Sequence, residues 1–479
     1  MGIYSLLMNL RSISVDRHLS DYRNQSAGVD GYSWLHKALH SCGIEVAVHN
    51  NLNKFVKYFQ KKILALLHYN IKPIIVFDGD KLPLKQRTEG RRHDNRVKNY
   101  ELAMECYRLG KVDEANKLFS QSIDITPDMA HFVVQKLREI FGDKVHCLVS
   151  PYEADSQLAY LSKIGMVEFV ITEDSDLLVF GARVMFYKMA KDFSGVEVKL
   201  ENLGKATELD LSGFDHDRFI QLCVLSGCDY LPSPKGIGFK KAHALMVKHN
   251  TVEKAIAAIS EKVTTDYYNS FLAAYLAFKY QRVYCPLKSK IVSLNDLNTE
   301  NLATKASFDY LAAKKCYELW GGFEFLGAVI DPEMAKGIAE CELDPTTKKS
   351  FYKEIVSTKG RRKEFSSKTT GSRLLTDMLE RPITQEEPKP KKQTTATRDD
   401  SAVKTNKETE HRPFSRSRRE TMVFSRSKKE RNVRSGHNAV NSDRPIIDML
   451  EKFRIENEKR RADPDAIMGI FYKALRNQF

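Results

Sequence analysis

The sequence predicts an α/β fold: a doubly wound, mostly parallel sheet flanked by helices, followed by a helical part and a disordered basic tail. Three observations point to it. Short apolar runs alternate with helical segments in the first part of the chain, the pattern turns helical from about residue 213, and after Asp344 the composition shifts to Lys, Arg, Ser and Thr. The runs "SAGVD" (26–30), "KPIIVFD" (72–78), "VHCLVS" (145–150) and "EFVITED" (168–174) have the length and apolar continuity of buried parallel strands. Between them residues 52–67, 94–120 and 128–141 carry helical patterns, with Thr126 as N-cap of the last and Pro127 at its first helical position. No further strand is expected beyond 213. In the tail, "EEPKPKKQTTATRDD" offers little to a core, while "RPFSRSRRE" (412–420) is echoed by "MVFSRSKKE" (422–430) and "LLTDMLE" (374–380) by "IIDMLE" (446–451). These echoes read as short docking segments.

With 479 residues and 42% hydrophobic content the chain suffices for one large domain or two ordinary ones plus a tail. No stretch approaches the roughly 20 apolar residues that cross a bilayer. The opening "MGIYSLLMNLR" lacks the basic and apolar regions of a secretory signal, and Leu6 stands where myristoylation needs Ser or Thr. A soluble intracellular monomer without membrane contact is expected. Eight scattered cysteines with no C-x-x-C pair fit buried thiols in a reducing compartment. The net charge of +14 belongs to the tail: residues 346–479 hold 33 Lys and Arg against 19 Asp and Glu, whereas residues 1–345 hold 43 of each. Nucleic-acid affinity in the folded part must therefore come from local patches.

Acidic residues supply the strongest signal. Asp30 closes "SAGVD", Asp78 closes "IIVFD", and Asp174 and Asp176 follow "FVIT", so each lies at the carboxyl end of an expected strand, where open α/β sheets form their ligand crevice. If the last segment is extended, Asp174 and Asp176 share a face. "SPYEADSQLAYL" (150–161) adds Glu153 and Asp155 at a helix start, and "LSGCDYL" (225–231) adds Asp229 just past a helix ending near Gly227. Singly, these acids have plainer readings. Ser150 and Glu153 fit a capping box, and Asp30 and Asp78 fit turns. A calcium loop at 173–181 is disfavoured because Leu178 fills the next alternating ligand position. Seven acids at three strand ends and two helix ends together read as a centre for hard divalent cations, Mg²⁺ or Mn²⁺, whose charge offsets the mutual repulsion.

Basic and aromatic residues accompany the acids. "DKLPLKQRTEGRRHDNRVK" (80–98) places Lys85, Arg92 and Arg96 on one face if helical, with Arg91 alongside, suited to holding a phosphate beside a metal; without the acids it reads as a solvated face. Tyr32 and His36, in "GYSWLHK", are spaced for base stacking, although that spacing also fits core residues. "SPKGIGFKKA" (233–242) joins a Gly236-x-Gly238 turn to a helix start bearing Lys240 and Lys241, where backbone N–H groups bind phosphate without reading sequence.

In their order, "MGIYSLL", "VDGYSWLHK", "FDG", "PYEADSQLAYL", "TEDSDLLVFG" and "LSGCDYLPSPKGIGFKKA" resemble the flap endonuclease family of structure-specific 5′ nucleases. The likeness is specific over residues 1–250 and fades toward 340. It implies a PIN-like nuclease core: an N-terminal nuclease region with the start of a helical arch (1–99), an internal nuclease region (100–225), a helix-two-turn-helix and helical region (226–340), and the tail (341–479). It also implies two Mg²⁺ ions at the seven acids, Lys85 and Arg92 as catalytic groups on the arch, and Gly2, Tyr32 and His36 near DNA. At the helix-two-turn-helix it implies a K⁺ held by Ser226, Ser233 and Ile237. Where the family usually has Gly, this chain has Ser5.

The function so implied is 5′ to 3′ removal of nucleotides from duplex ends, nicks or gaps, with some flap cleavage, by two-metal hydrolysis. A replication flap endonuclease is the nearest alternative, disfavoured by the lack of a Q-x-x-aliphatic-x-x-aromatic-aromatic box; a non-catalytic DNA-binding scaffold is the other. Ile467, Ile470, Phe471, Ala474 and Leu475 follow helical spacing and suggest a docking helix. The runs "KPKK", "SRSRR" and "SRSKKER" suit nuclear import, and kinship suggests mismatch repair or resection with MutL- and MutS-type partners.

Overall fold

The chain is described by a computed structural model covering residues 2–3, 5–295 and 307–351. Seven strands form one sheet in the order β1-β7-β6-β5-β2-β3-β4: β1 (Ser14–His18), β2 (Ser26–Asp30), β3 (Lys72–Phe77), β4 (His146–Val149), β5 (Phe169–Ile171), β6 (Val184–Tyr187) and β7 (Ser194–Lys199). Strands β6, β5, β2, β3 and β4 run parallel, while β7 and β1 close the far edge antiparallel. The four expected strands are β5, β2, β3 and β4, neighbours within the parallel block; β6, β7 and β1 are additional. Strand β2 is buried along its whole length and β3 at all but its first residue, because helices cover both faces and leave no polar side to alternate with.

The pleat divides β3 between two cores. Ile75 and Phe77 pack with helices α1 (Gly31–Leu39), α3 (Asn53–His68) and α6 (Pro127–Phe141). Ile74 and Val76 face the opposite cluster with α7 (Ala154–Lys163), α8 (Asp176–Val179), α9 (His216–Ser226) and α12 (Tyr267–Tyr280). Short α2 (Gly43–Ala47), the long α4 (Gln86–Arg108) and α5 (Val112–Ser122) complete the first part; α10 (Phe239–His249), α11 (Val252–Ala257), α13 (Phe308–Trp320) and α14 (Pro332–Ala339) complete the second. The N-cap expected for α6 is present, with Thr126 accepting from Met129 N.

Several expectations need correction. The helix expected over 94–120 starts earlier, at Gln86, and is two helices, broken where Gly110 takes φ +73°. A hairpin of β8 (Arg282–Cys285) and β9 (Lys290–Ser293) lies in the stretch expected to hold no strands. Residues 341–351, assigned to the tail, fold back on the body: Phe351 stacks on His131 at 4.1 Å and Lys348 Nζ lies 3.1 Å from Asp80 Oδ2. The echoed segments and the 467–475 helix lie outside the described residues. Among the described residues no helix is long and apolar enough to cross a membrane, and all eight cysteines are free.

Candidate active site

Parallel register brings the acids to one end of the sheet. Asp30 ends β2 opposite Val76 of β3 and caps α1, its Oδ1 accepting from Ser33 N (2.9 Å) and its Oδ2 from Thr172 Oγ1 (2.9 Å). Asp78 directly follows β3 and accepts from Ala154 N at 2.7 Å, which ties that strand to the start of α7. The adjoining loop comes equally close: Gly79 N donates to Tyr152 O at 2.6 Å, and a Cβ on Gly79 would lie 1.9 Å from Ser150 O. Only glycine admits this approach, which sets Glu153 and Asp155 beside Asp78. Glu153 is itself the N-cap residue of α7, so the capping-box reading fails and its carboxylate is directed elsewhere.

Asp174 and Asp176 meet, although not on an extended segment. Asp176 is the first residue of α8, and its N–H donates to Asp174 Oδ1 at 3.0 Å. The N-terminal segment closes over them: Ile3 N donates to Asp176 Oδ1 at 2.9 Å, and a Cβ on Gly2 would lie 2.2 Å from Asp174 Oδ1. Glu173 turns away to an ion pair with Lys37 at 2.5 Å. The three acids crowded into that stretch therefore serve two sites.

Burial sets the electrostatics. It pushes the Asp78 carboxyl up to about 7, with Asp30 adding to the shift. Burial followed by the neighbouring Asp174 raises Asp155 and Asp176 well above the usual carboxylate range, and burial also raises Asp174. Burial acts on Asp229 in the same direction, but Lys85 and Arg92 more than offset it and leave that carboxyl below its ordinary value. Asp155 Oδ1 is buried without a hydrogen-bond partner. An all-oxygen donor set with an unpaired buried oxygen and carboxyls reluctant to ionise fits a hard divalent cation. As the side chains stand, no three His, Cys, Asp or Glu residues among the described ones are arranged to ligate one ion. Two of the acids are held by cations of the protein instead.

Those cations are the expected pair. Lys85 ends a 3-10 turn (Pro83–Lys85) just before α4; its Nζ pairs with Glu153 Oε1, sits 3.5 Å from Asp229 Oδ2 and lies 5.2 Å over the Tyr230 ring. Arg92 bonds Asp229 Oδ2 at 2.6 Å and Glu89 Oε1 at 2.8 Å. Arg96, one turn further along α4, lies 3.3 Å from Asp124 and 3.9 Å from the same Glu89 that Arg92 bonds, and Arg91 is exposed. Arg92 and Arg96 thus share one face of α4 through Glu89, and Lys85, which precedes the helix, joins Arg92 at Asp229. Tyr32 is half-buried and edge-on to Phe77 at 6.4 Å, and His36 is exposed on the same helix.

Beyond Asp229 the chain forms the expected helical hairpin. Gly227 ends α9 at φ +100°, Ser226 Oγ donates back to Cys223 O, Ile237 N donates to Pro234 O, and α10 begins after Gly238. Ser233, Gly236, Gly238, Lys240 and Lys241 are exposed together, whereas Ile237 is buried. The turn and helix N-terminus form a surface suited to a phosphate backbone.

The model of the XPG N-terminal domain matches residues 1–99 and that of the XPG I-region residues 144–229. DNA damage-inducible protein DIN7 of Saccharomyces cerevisiae is 33% identical over 323 residues, covering 66% of this chain and 74% of that protein. The chain belongs to the XPG family. Exonuclease 1 of Arabidopsis thaliana is 37% identical over 383 residues, covering 78% of this chain and 49% of that protein, so the chain spans about half the length of this relative. Among solved structures, the catalytic core of Rad2 in complex with DNA substrate aligns over 58% of this chain and 85% of that one, at 21% identity and a TM-score of 0.43. The two XPG matches contain every acid of the site: Asp30 and Asp78 lie in the first, the other five in the second.

Sequence reasoning missed three residues that hold the acids. Thr172 holds Asp30 and, through its Oγ1, also accepts from Asp174 N. Tyr230 donates its hydroxyl to Glu153 Oε2, and Gln281 Nε2 bonds the same oxygen at 2.6 Å. Tyr230 was within reach as the neighbour of Asp229 in "LSGCDYL". Gln281 stands in a stretch with no motif.

Proposed function

We propose that this chain is a Mg²⁺-dependent 5′ to 3′ exonuclease on double-stranded DNA, with flap-cleaving activity, acting in DNA repair. The observation that carries the reading is the convergence of seven acids from three strand ends and two helix boundaries, with Lys85 and Arg92 already reaching into them. Two Mg²⁺ ions among Asp30, Asp78, Glu153, Asp155, Asp174, Asp176 and Asp229 would supply charge stabilisation to an in-line phosphodiester displacement. Lys85 and Arg92 exchange their carboxylate partners for the scissile phosphate and neutralise the charge that builds on it. Tyr32 and His36 receive the terminal nucleotide as it leaves the stack, and the bare backbone at Gly2 leaves room beside Asp174. The Gly236–Gly238 turn, Lys240 and Lys241 hold the duplex backbone, with a K⁺ at Ser226, Ser233 and Ile237. Arg91 and Arg96 add positive charge along α4. Such contacts address phosphates, so cleavage is largely independent of sequence.

The tail's basic runs support a nuclear location, and exonuclease 1 kinship supports mismatch repair partners of the MutL and MutS type. A nicked duplex labelled at the 5′ end of the nick tests the reading. Mg²⁺-dependent release of labelled mononucleotide, lost in Asp174→Ala with DNA binding retained, is expected. Labelled oligonucleotides would indicate a flap endonuclease instead, and cleavage surviving in Asp174→Ala would overturn the assignment of the acids.

A further inference from the structure

Gln281 is completely buried where α12 passes into β8, a position that an apolar side chain would fill at less cost. Its Oε1 has no hydrogen-bond partner among the described residues, and a buried amide oxygen left unpaired destabilises the fold. Its Nε2, in contrast, is fully used: it lies 2.6 Å from Glu153 Oε2 and 3.2 Å from the Tyr230 hydroxyl. Tyr230 donates to that same Glu153 oxygen, and its ring packs under the Lys85 ammonium at 5.2 Å. Lys85 pairs with the other oxygen, Oε1.

The two oxygens of Glu153 are therefore held differently. Oε2 is fixed by two buried neutral donors that also bond each other. Oε1 is held only by a side chain on the turn leading into α4, an ammonium that a cation or a phosphate can replace. Donors behind a ligating carboxylate set its orientation, and their loss usually lowers metal affinity about 10–100-fold.

We propose that Tyr230 and Gln281 are positioning residues that lock the Glu153 carboxylate in one orientation for a divalent cation, with Tyr230 coupling that orientation to Lys85. The inference rests on the metal-centre reading of Glu153 given above. Each change removes one donor: Tyr230→Phe keeps the ring beneath Lys85, and Gln281→Met keeps the volume.

Mn²⁺ titrated calorimetrically into the full chain without DNA gives the direct readout. Both variants are expected to bind Mn²⁺ about tenfold more weakly than the wild type. The Mg²⁺ midpoint for cleavage of the nicked duplex should rise in parallel, with the maximal rate recovered at saturating Mg²⁺. A merely structural role would lower the melting temperature and leave the Mn²⁺ affinity of the folded protein unchanged, which overturns the proposal. Should Gln281→Met not fold, Tyr230→Phe decides by the same criterion. Wild-type protein that binds Mn²⁺ but cleaves nothing overturns the nuclease reading and leaves the comparison of affinities intact; wild-type protein that binds no Mn²⁺ overturns both.

Discussion

Arg92, in the second turn of α4, reaches Asp229 beyond the end of α9, its Nη2 2.6 Å from Oδ2. The bond joins a helix rooted near Asp78 to the hairpin proposed to hold duplex DNA, and Glu89 fixes the guanidinium from the other side at 2.8 Å. A group so placed can transfer to a phosphate with little reorganisation. Arg92→Ala should lower the single-turnover cleavage rate by about a hundredfold or more. Arg92→Lys should recover little, since one ammonium cannot span both partners. DNA binding measured without Mg²⁺ should change far less than the rate; equal losses in both would make Arg92 a binding residue only.

Ser5 stands at φ +61°, in the left-handed region. The family's usual glycine at this position now has a physical reason, since a Cβ there costs about 1 kcal/mol. The turn is retained because Ser5 O accepts from both Asn9 N (3.2 Å) and Asn9 Nδ2 (2.7 Å). Ser5→Gly should raise the melting temperature by about 2 °C, part of the gain being offset by the greater freedom of glycine in the unfolded chain. A lower melting temperature would refute the strain.

Lys62 is buried on α3, with Nζ 3.2 Å from Ala190 O and 5.3 Å from the Phe193 ring centre. Burial, then the like charges of Lys37 and Lys61, lower its pKa to about 8. The unfolded chain keeps a pKa near 10.4, so between these values it binds more protons than the native state, and stability contributed by this group rises with pH. Denaturation midpoints of wild type and Lys62→Met, compared at pH 7.5 and 9.5, should show the wild type gaining relative to the variant at the higher pH. A constant difference would mean that Lys62 titrates normally in the fold.

How far the sequence revealed this site depended on how local each cause is. Strands β2 and β3 were legible because burial on both faces makes them continuous apolar runs, and the acids that close them follow directly. Strand β1 was not: it is an edge strand whose three central residues are exposed, so "SVDRH" shows no apolar pattern. The pairing of Glu173 with Lys37, which separates it from Asp174 and Asp176, depends on α1 lying beside the segment after β5. Gln281 was beyond reach for the same reason. Its partner Glu153 is 128 positions away, and neither spacing nor composition marks a buried amide as part of an acid centre.

Asp155 gives the sharpest test of the acid centre as an electrostatic object. Its Oδ1 is buried and unpaired, and burial, followed by Asp174, Asp30 and Asp78, raises its proton affinity. An amide avoids the cost of burying this carboxyl beside other acids when no cation is present, so Asp155→Asn should melt at a higher temperature than the wild type in chelator. Mg²⁺ should reverse the order. At one hundred times its dissociation constant a ligand specific for the native state adds about 2.7 kcal/mol, and the wild type should receive this gain while the variant, missing a ligand, should receive less. Cleavage should be lost in the variant although it is the more stable protein in chelator, which separates the loss from misfolding. If Mg²⁺ raised both melting temperatures equally, Asp155 would not be a ligand; if the variant were less stable in chelator, the buried carboxyl would not be a cost to the cation-free fold.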